Sequence, residues 1–531
     1  MCKFSILVVN HANVIKLYVI FAIPVIFIDM KRFIFTIFQI HILLTGAIAA
    51  PKAQEDPGQD KFAETRQAVE KIIEGRTLSQ ASVGICAMTG DGRMVVDINS
   101  ENMLVPASNM KLISTGAALH HFGPEHRYET AIGHDGEIVD GILEGNLYII
   151  GGADPTLGSI DTIATPIEST FAQWETMVRE AGITCIRGRV IGDGRYFDPM
   201  IEEPSWLIED AGTYYGAGST GLMFYENMQS FSVSAGAAVG DSVKISTSYP
   251  ETPWMTFRYS CSTGMEGTGD QLYMYTSDLA PIAEIRGTFG VDRKSKRLDC
   301  SNKFPEYTCA HYFREYLEDR GICCEGGMGD FRMDTSWEPK GEIRPLGRTY
   351  SPELSRIVFQ TNHISNNVYA ETLLRTLGRD MTGNACYDSS YVAIRKVLSD
   401  LGIDATRGCR IKDGSGLSRQ NYISPDFMCR FLSGMLSSPH FEYFAESLPS
   451  PGEKGTLVYN MSKYPEDTRL RIKAKSGSMN GIRCYSGYII PTEGCRDECI
   501  IFSIMVNNCT SPTWEVRPLL DKIMGLLATV F

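Results

Sequence analysis

Three short clusters in this chain hold side chains that could carry out nucleophilic acyl chemistry. Ser108 and Lys111 stand three residues apart in VPASNMKLISTGAALHHFG, where Pro106 precedes and Gly123 closes a stretch that predicts a helix from about Ser108 to His121. Residues three apart share a helix face, so the Lys111 amine falls beside the Ser108 hydroxyl. The partial positive charge of a helix N-terminus favours a developing alkoxide there. A lone S-x-x-K is more often an N-cap serine followed by a solvated lysine. Ser365-Asn366-Asn367 lies in SRIVFQTNHISNNVYAETLLRTLG, between two stretches that read as helices, where the plain reading is a polar loop with a capping serine. Lys475-Ser476-Gly477-Ser478 lies in LRIKAKSGSMNGIRCYSGYII, which reads as a strand, an Asn-Gly turn and a second strand, with a third in CIIFSIMVNN.

The elements that must position these clusters are far apart in the sequence. Residues 60–122 begin with an amphipathic helix near Lys61 to Glu74, continue with strand-like SVGICAMTG and RMVVDIN, and reach the Ser108 helix. From 123 to about 340, short strands separated by glycine turns dominate, with few helical runs up to Lys296. Residues 341–531 return to helices around Ser365 and finish with the Lys475 strand, two antiparallel partners and a terminal helix in TWEVRPLLDKIMGLLATV. One catalytic domain split by a long insertion accounts for this order. No internal repeat or low-complexity linker interrupts it.

Composition narrows the function classes. The net charge is −13, and residues 1–49 carry more Lys and Arg than acid, so the remainder is more acidic still and phosphate backbones are poor partners. Met30-Lys31-Arg32 followed by FIFTIFQIHILLTGAIAA has the basic start, apolar middle and small-residue end of a signal peptide. Met30 is therefore the expected true start, since Val14 to Ile28 contains Lys16 and is short for a span; an uncleaved N-terminal anchor is the alternative. Fifteen cysteines in an exported chain predict some pairing, with adjacent Cys323-Cys324 and the Cys495/Cys499 pair as disulfide candidates and buried thiols as the plain reading of the rest. C-x₃-C without a matching pair is poor evidence for zinc. Neither H-E-x-x-H nor G-x-S-x-G occurs, so a zinc peptidase and an α/β-hydrolase lack their marks.

The order S-x-x-K, S-x-N, K-[ST]-G is the signature of serine acyl-transferases acting on penicillin-like and D-alanyl substrates. The sequence resembles the penicillin-binding proteins, and more narrowly the class C low-molecular-mass D-alanyl-D-alanine carboxypeptidase/endopeptidases. About 250 residues separate Lys111 from Ser365, more than serine β-lactamases or simple carboxypeptidases place there. GNLYIIGGADPTL (145–157), SWLIEDAGTYYGAGSTGLMFYEN (205–227), DGSGLSRQNYISP (413–425) and GEKGTL (452–457) are similar to further landmarks of that family. Ser476 departs from the usual threonine but keeps the hydroxyl.

The resemblance implies an α+β penicillin-binding/β-lactamase-like fold, an antiparallel sheet flanked by helices, with the insertion forming two smaller β-rich domains, one nested in the other. It also implies a serine peptidase of peptidoglycan stem peptides, inhibited covalently by β-lactams, periplasmic, and needing no metal or cofactor. Peripheral association with the membrane or cell wall is compatible with export. In that scheme Ser108 attacks the D-Ala-D-Ala carbonyl and backbone N–H groups of Ser108 and Ser478 hold the oxyanion. With no histidine in the motifs, the Lys111 amine is the base, kept neutral by burial and by the neighbouring cation Lys475. Ser365 relays a proton to the leaving amine, and Asn367 orients Lys111 and the substrate amide. Lys475 and Ser476 bind the terminal carboxylate, and Gly477 leaves the strand edge bare for substrate backbone. Asp210 falls where the family carries an insert-domain acid that contacts a free amino group of the substrate; a loop-capping aspartate is the alternative. A β-lactamase would need a deacylating base of its own, and a non-catalytic wall-binding scaffold would have no need to retain Ser108, Lys111 and Lys475.

Overall fold

The computed structural model describes residues 6–11, 14–19, 57–334, 338–339, 341–492 and 498–530. The leader expected over Met30 to Ala49 and Cys495 of the expected Cys495/Cys499 pair lie outside these residues. Ile6–His11 and Val14–Val19, ahead of that leader, pair antiparallel as a hairpin.

From Pro57 onward, the two ends of the chain build one sheet. Helix α1 (Pro57–Ile73) leads to β1 (Ser82–Thr89) and β2 (Met94–Ile98), and then to α2 (Met110–Phe122). After the intervening residues come α3 (Leu354–His363) and α4 (Asn367–Thr382), then β3 (Ile472–Met479), β4 (Ile482–Ile489), β5 (Ile500–Asn507) and α5 (Thr513–Ala528). The strands lie in the order β3-β4-β5-β1-β2, antiparallel throughout. Asn480-Gly481 makes the two-residue β3–β4 turn, and Gly481 takes a φ of 73°, a left-handed conformation that glycine adopts without strain.

β5 is apolar at nearly every position because both faces of the sheet are covered. Ile501 and Met505 pack with Leu112 of α2, Ile357 of α3 and Leu373 of α4. Phe502 and Ile504, pointing the other way, pack with Val69 of α1 and Leu520 and Ile523 of α5. Each such side chain contributes about 2 kcal/mol relative to exposure. The sheet is thereby held rigidly between two helical layers, with β3 at its edge.

The residues between α2 and α3 form two further cores. A five-stranded mixed sheet runs in the order Met328–Asp330, Val190–Asp193, Leu147–Gly151, Glu129–His134 and Arg344–Tyr350. Helices Ile167–Glu180 and Pro305–Asp319 cover it through Trp174 and Phe313, whose rings meet edge to face at 5.2 Å. From 123 up to Lys296, a stretch in which few helical runs are expected, Ile167–Glu180 is the one long helix among the described residues, and Pro305–Asp319 follows it. The second core, around Phe231, Met274, Ile285 and Phe289, lies between two three-stranded sheets.

Cys323 and Cys324 are successive residues of a short strand, one exposed and one buried, and are not joined to each other. Successive strand side chains point to opposite faces, which opposes the expected pairing. Cys323 instead lies in register with Cys185 on the neighbouring strand.

Candidate active site

A tight 3-10 turn, Ala107–Asn109, delivers Ser108 to the head of α2. Ala107 takes a φ of 45°, which turns the chain sharply before the helix begins. The turn is pinned to the sheet by Asn109, whose Nδ2 donates to Ser486 Oγ of β4 at 2.7 Å. Gly477 explains the close seating: a Cβ there would stand 2.5 Å from Pro106 O. The missing side chain of Gly477 thus makes room for the nucleophile's own turn.

Lys111 is wholly buried, with its Nζ 3.1 Å from Ser108 Oγ, 2.6 Å from Asn367 Oδ1 and 2.7 Å from the carbonyl oxygen of Ser415. The geometry has a definite chemical consequence. A neutral amine has two N–H bonds and one lone pair; if the carbonyl oxygens of Asn367 and Ser415 take the two hydrogens, the lone pair faces the Ser108 hydroxyl. Burial pushes the Lys111 pKa down to about 7, against the pull of Asp413 and Glu371, which favour the charged form. Lys475, also buried, is held well below the ordinary lysine range by burial first and by repulsion from Lys111 second. Burial thus lowers the pKa of both amines, and the repulsion between them disfavours charging both at once.

Ser365 sits between α3 and α4 at a left-handed φ of 63°, and its Oγ accepts from Lys475 Nζ at 3.0 Å. The lysine also donates to the Ser476 carbonyl at 2.8 Å. Asn366, not Ser365, caps α4, accepting from Tyr369 N. Its own amide donates to the buried Glu226 at 2.7 Å, so the 159–227 region grips this loop. Asn367 donates through Nδ2 to the Tyr215 carbonyl at 2.8 Å, which settles which amide atom is left for Lys111.

A cavity of about 990 Å³ opens over these groups, lined by Ser108, Ser365, Asn367 and Ser478 and, from the insertion, by Asp210 and Tyr215. Asp210, on the short helix Ile208–Ala211, accepts from the Tyr215 hydroxyl at 3.2 Å, and burial raises its pKa. The structure thus brings the three motifs and Asp210 to one cavity. Sequence reasoning passed over Glu371, Asp413, Ser415 and Tyr215. DGSGLSRQNYISP is a landmark in the sequence, but what reaches Lys111 from it is a backbone oxygen, which no pattern of side chains displays.

Among the described residues, one group of side chains could hold a cation: Cys185, Cys323 and Glu325, with ligand atoms within 4.8 Å of one another. It lies in the insertion and does not line the cavity. Arg187 stands 3.6 Å from Glu325 and competes for that carboxylate.

A serine and a buried lysine at the head of a helix, a Ser-x-Asn loop beside it and a Lys-Ser-Gly edge strand on an antiparallel sheet define a serine acyl-transferase of the penicillin-binding, β-lactamase-like fold. The chain belongs to the D-Ala-D-Ala carboxypeptidase 3 (S13) family, which it matches over residues 65–529. It is similar to a D-alanyl-D-alanine carboxypeptidase of Actinomadura sp. (strain R39), 28% identical over 491 residues, covering 89% of this chain and 86% of that protein. It is also similar to penicillin-sensitive carboxypeptidase A of Dictyostelium discoideum, 25% identical over 460 residues, covering 82% of this chain and 84% of that one. The crystal structure of penicillin binding protein 4 (dacB) from Haemophilus influenzae shares the fold, with a TM-score of 0.72 at 20% identity over 86% of this chain and 97% of that one.

Proposed function

We propose that this chain is an exported, periplasmic serine peptidase that cleaves D-Ala-D-Ala bonds of peptidoglycan stem peptides as a carboxypeptidase and endopeptidase, with β-lactams as covalent inhibitors. The observation that carries this reading is the Lys111 amine held between Asn367 and Ser415, 3.1 Å from Ser108 Oγ. Neutral Lys111 takes the Ser108 proton as Oγ bonds to the carbonyl carbon, and the oxyanion forms beside the N–H groups of Ser108 and Ser478. As the amide C–N bond breaks, Ser365 passes a proton to the leaving amine while Lys475 and Ser476 hold the terminal carboxylate. Water then hydrolyses the ester and restores Ser108. Incubation with purified muropeptides and mass analysis should show loss of a terminal D-alanine or separation of cross-linked dimers. Muropeptides left intact by folded, penicillin-reactive protein would overturn the assignment of substrate.

The Lys111 pKa gives the pH dependence. The base works only when neutral, so below about 7 the rate of penicillin acylation should rise about tenfold per pH unit and level off above it. Rates measured from pH 5 to 9 check this; a flat acid side would exclude a titrating base of that pKa.

Asp210 lines the cavity from the insertion, beside Tyr215, and we assign it to a free amino group on the substrate. A charge-assisted hydrogen bond of about 1.5–3 kcal/mol corresponds to roughly 10- to 100-fold in turnover. Asp210→Ala should lose that much on cross-linked muropeptides bearing the amine and almost nothing in penicillin acylation, penicillin being too small to reach it. A parallel fall in both rates would mean that Asp210 acts through Tyr215, whose carbonyl holds Asn367.

A further inference from the structure

The loop that reaches Lys111 is wound around two buried carboxylates. Glu371 lies four residues after Asn367 on the same face of α4 and is wholly buried, as is Asp413. Glu371 accepts from Ser415 N at 2.7 Å through one oxygen and from Gly414 N at 3.1 Å through the other. Asp413 accepts from the N–H groups of Gly416 and Ser418 at 2.7 and 2.6 Å and from the Trp206 indole at 2.9 Å. The loop has no room to shift: a Cβ on Gly416 would meet Ala107 O at 1.9 Å, and one on Gly414 would meet Ala370 O at 2.4 Å. With its N–H held by Glu371, Ser415 turns its carbonyl to the Lys111 amine at 2.7 Å.

We propose that Glu371 is a positioning residue for the reaction, which fixes the Ser415 carbonyl so that Lys111 presents its lone pair to Ser108, and which places acid beside the amine as it becomes charged. One face of α4 then serves the base twice, directly through Asn367 and through the loop by way of Glu371. This inference rests on the proposed role of Lys111 as base.

The groups around Glu371 limit what can titrate with it. They are Lys111 on α2, Asp413 in the loop, Arg375 one turn on along α4, and Tyr387 and Tyr391 on the helix Tyr387–Asp400. Both tyrosines are pushed above their ordinary range, mainly by burial. Burial first and Asp413 second push the Glu371 carboxyl above its ordinary range, and Glu371 in turn favours the charged form of Lys111.

The test is the pH profile of penicillin acylation in Glu371→Gln. Glutamine keeps the shape, loses the acid and turns an N–H₂ toward a backbone N–H it cannot accept from. The maximal rate should fall about 10- to 100-fold, and the acid limb should move to lower pH, because a carboxylate that favours charged Lys111 has gone. A fall in rate with the limb unmoved, or no fall at all, would overturn the proposal. Should Glu371→Gln fail to fold, Glu371→Asp decides: it keeps the acid but falls one methylene short of Ser415 N, so acylation should drop at least about tenfold in protein whose melting temperature shows it still folded under the assay. Unchanged acylation in the aspartate variant would overturn the positioning role. Wild-type protein that never reacts with penicillin would instead bring down the proposed function.

Discussion

Ser108→Ala is expected to abolish covalent labelling by fluorescent penicillin and to lower D-Ala-D-Ala cleavage by roughly 10⁶-fold, the scale on which loss of a catalytic nucleophile acts. A β-lactam presents its strained amide to the same attacking oxygen, so both reactions depend on one atom. The fold should survive the change. Ser108 is half-buried, its side chain bonds only Lys111 among the described residues, and deleting one hydroxyl from such a position costs about 0.5 kcal/mol or less. Unchanged melting with lost labelling is therefore the expected pair of results. Peptide mapping of the wild-type adduct distinguishes Ser108 from the other hydroxyls at the cavity, Ser365 Oγ, which lies 3.0 Å from the Lys475 amine, and the Ser478 side chain. An adduct on either would overturn the assignment of roles.

The parts of this site that could be read from the sequence are those whose function resides in side-chain type and local spacing. Ser108 and Lys111 meet because a helix brings residues three apart together, and the Asn-Gly turn fixed β3 against β4 from a two-residue signal. Ser365 and Asn367 were legible as a loop between helices, though not the left-handed φ that lets Ser365 face Lys475. What stayed hidden depends on contacts between distant segments. The Ser415 carbonyl, the Tyr215 carbonyl and the turn packed on Gly477 all act through backbone atoms or through the absence of one. Glu371 carried a periodic hint, four residues after Asn367, but nothing local says that loop 413–418 folds onto it. The two helices of the insertion were within reach. Phe171, Trp174 and Val178 recur at helical spacing, and Pro305 opens the second, yet the glycine-punctuated strands around them masked the period.

Lys111→Ala and Lys475→Ala should both slow the enzyme, and the substrates on which they do so should differ. Lys111 contacts the nucleophile and two carbonyl oxygens. Its loss removes the base, worth roughly 10² to 10⁴ in rate, and should do so equally for penicillin, a D-alanyl peptide and an ester analogue. Lys475 lies on β3 beside Ser365 and Ser476, where the terminal carboxylate would bind. Its loss should cost most on ligands carrying that carboxylate and little on the corresponding amide, since an uncharged end gains nothing from a cation there. Alanine at 111 also strips a donor from the Asn367 and Ser415 oxygens, a penalty of about 1–3 kcal/mol if they stay unpaired, so melting temperatures must accompany the rates. Near-normal acylation by folded Lys111→Ala at neutral pH would exclude it as the base. Equal losses on carboxylate and amide ligands in Lys475→Ala would move that lysine from substrate binding to the proton path through Ser365, whose hydroxyl its amine already holds.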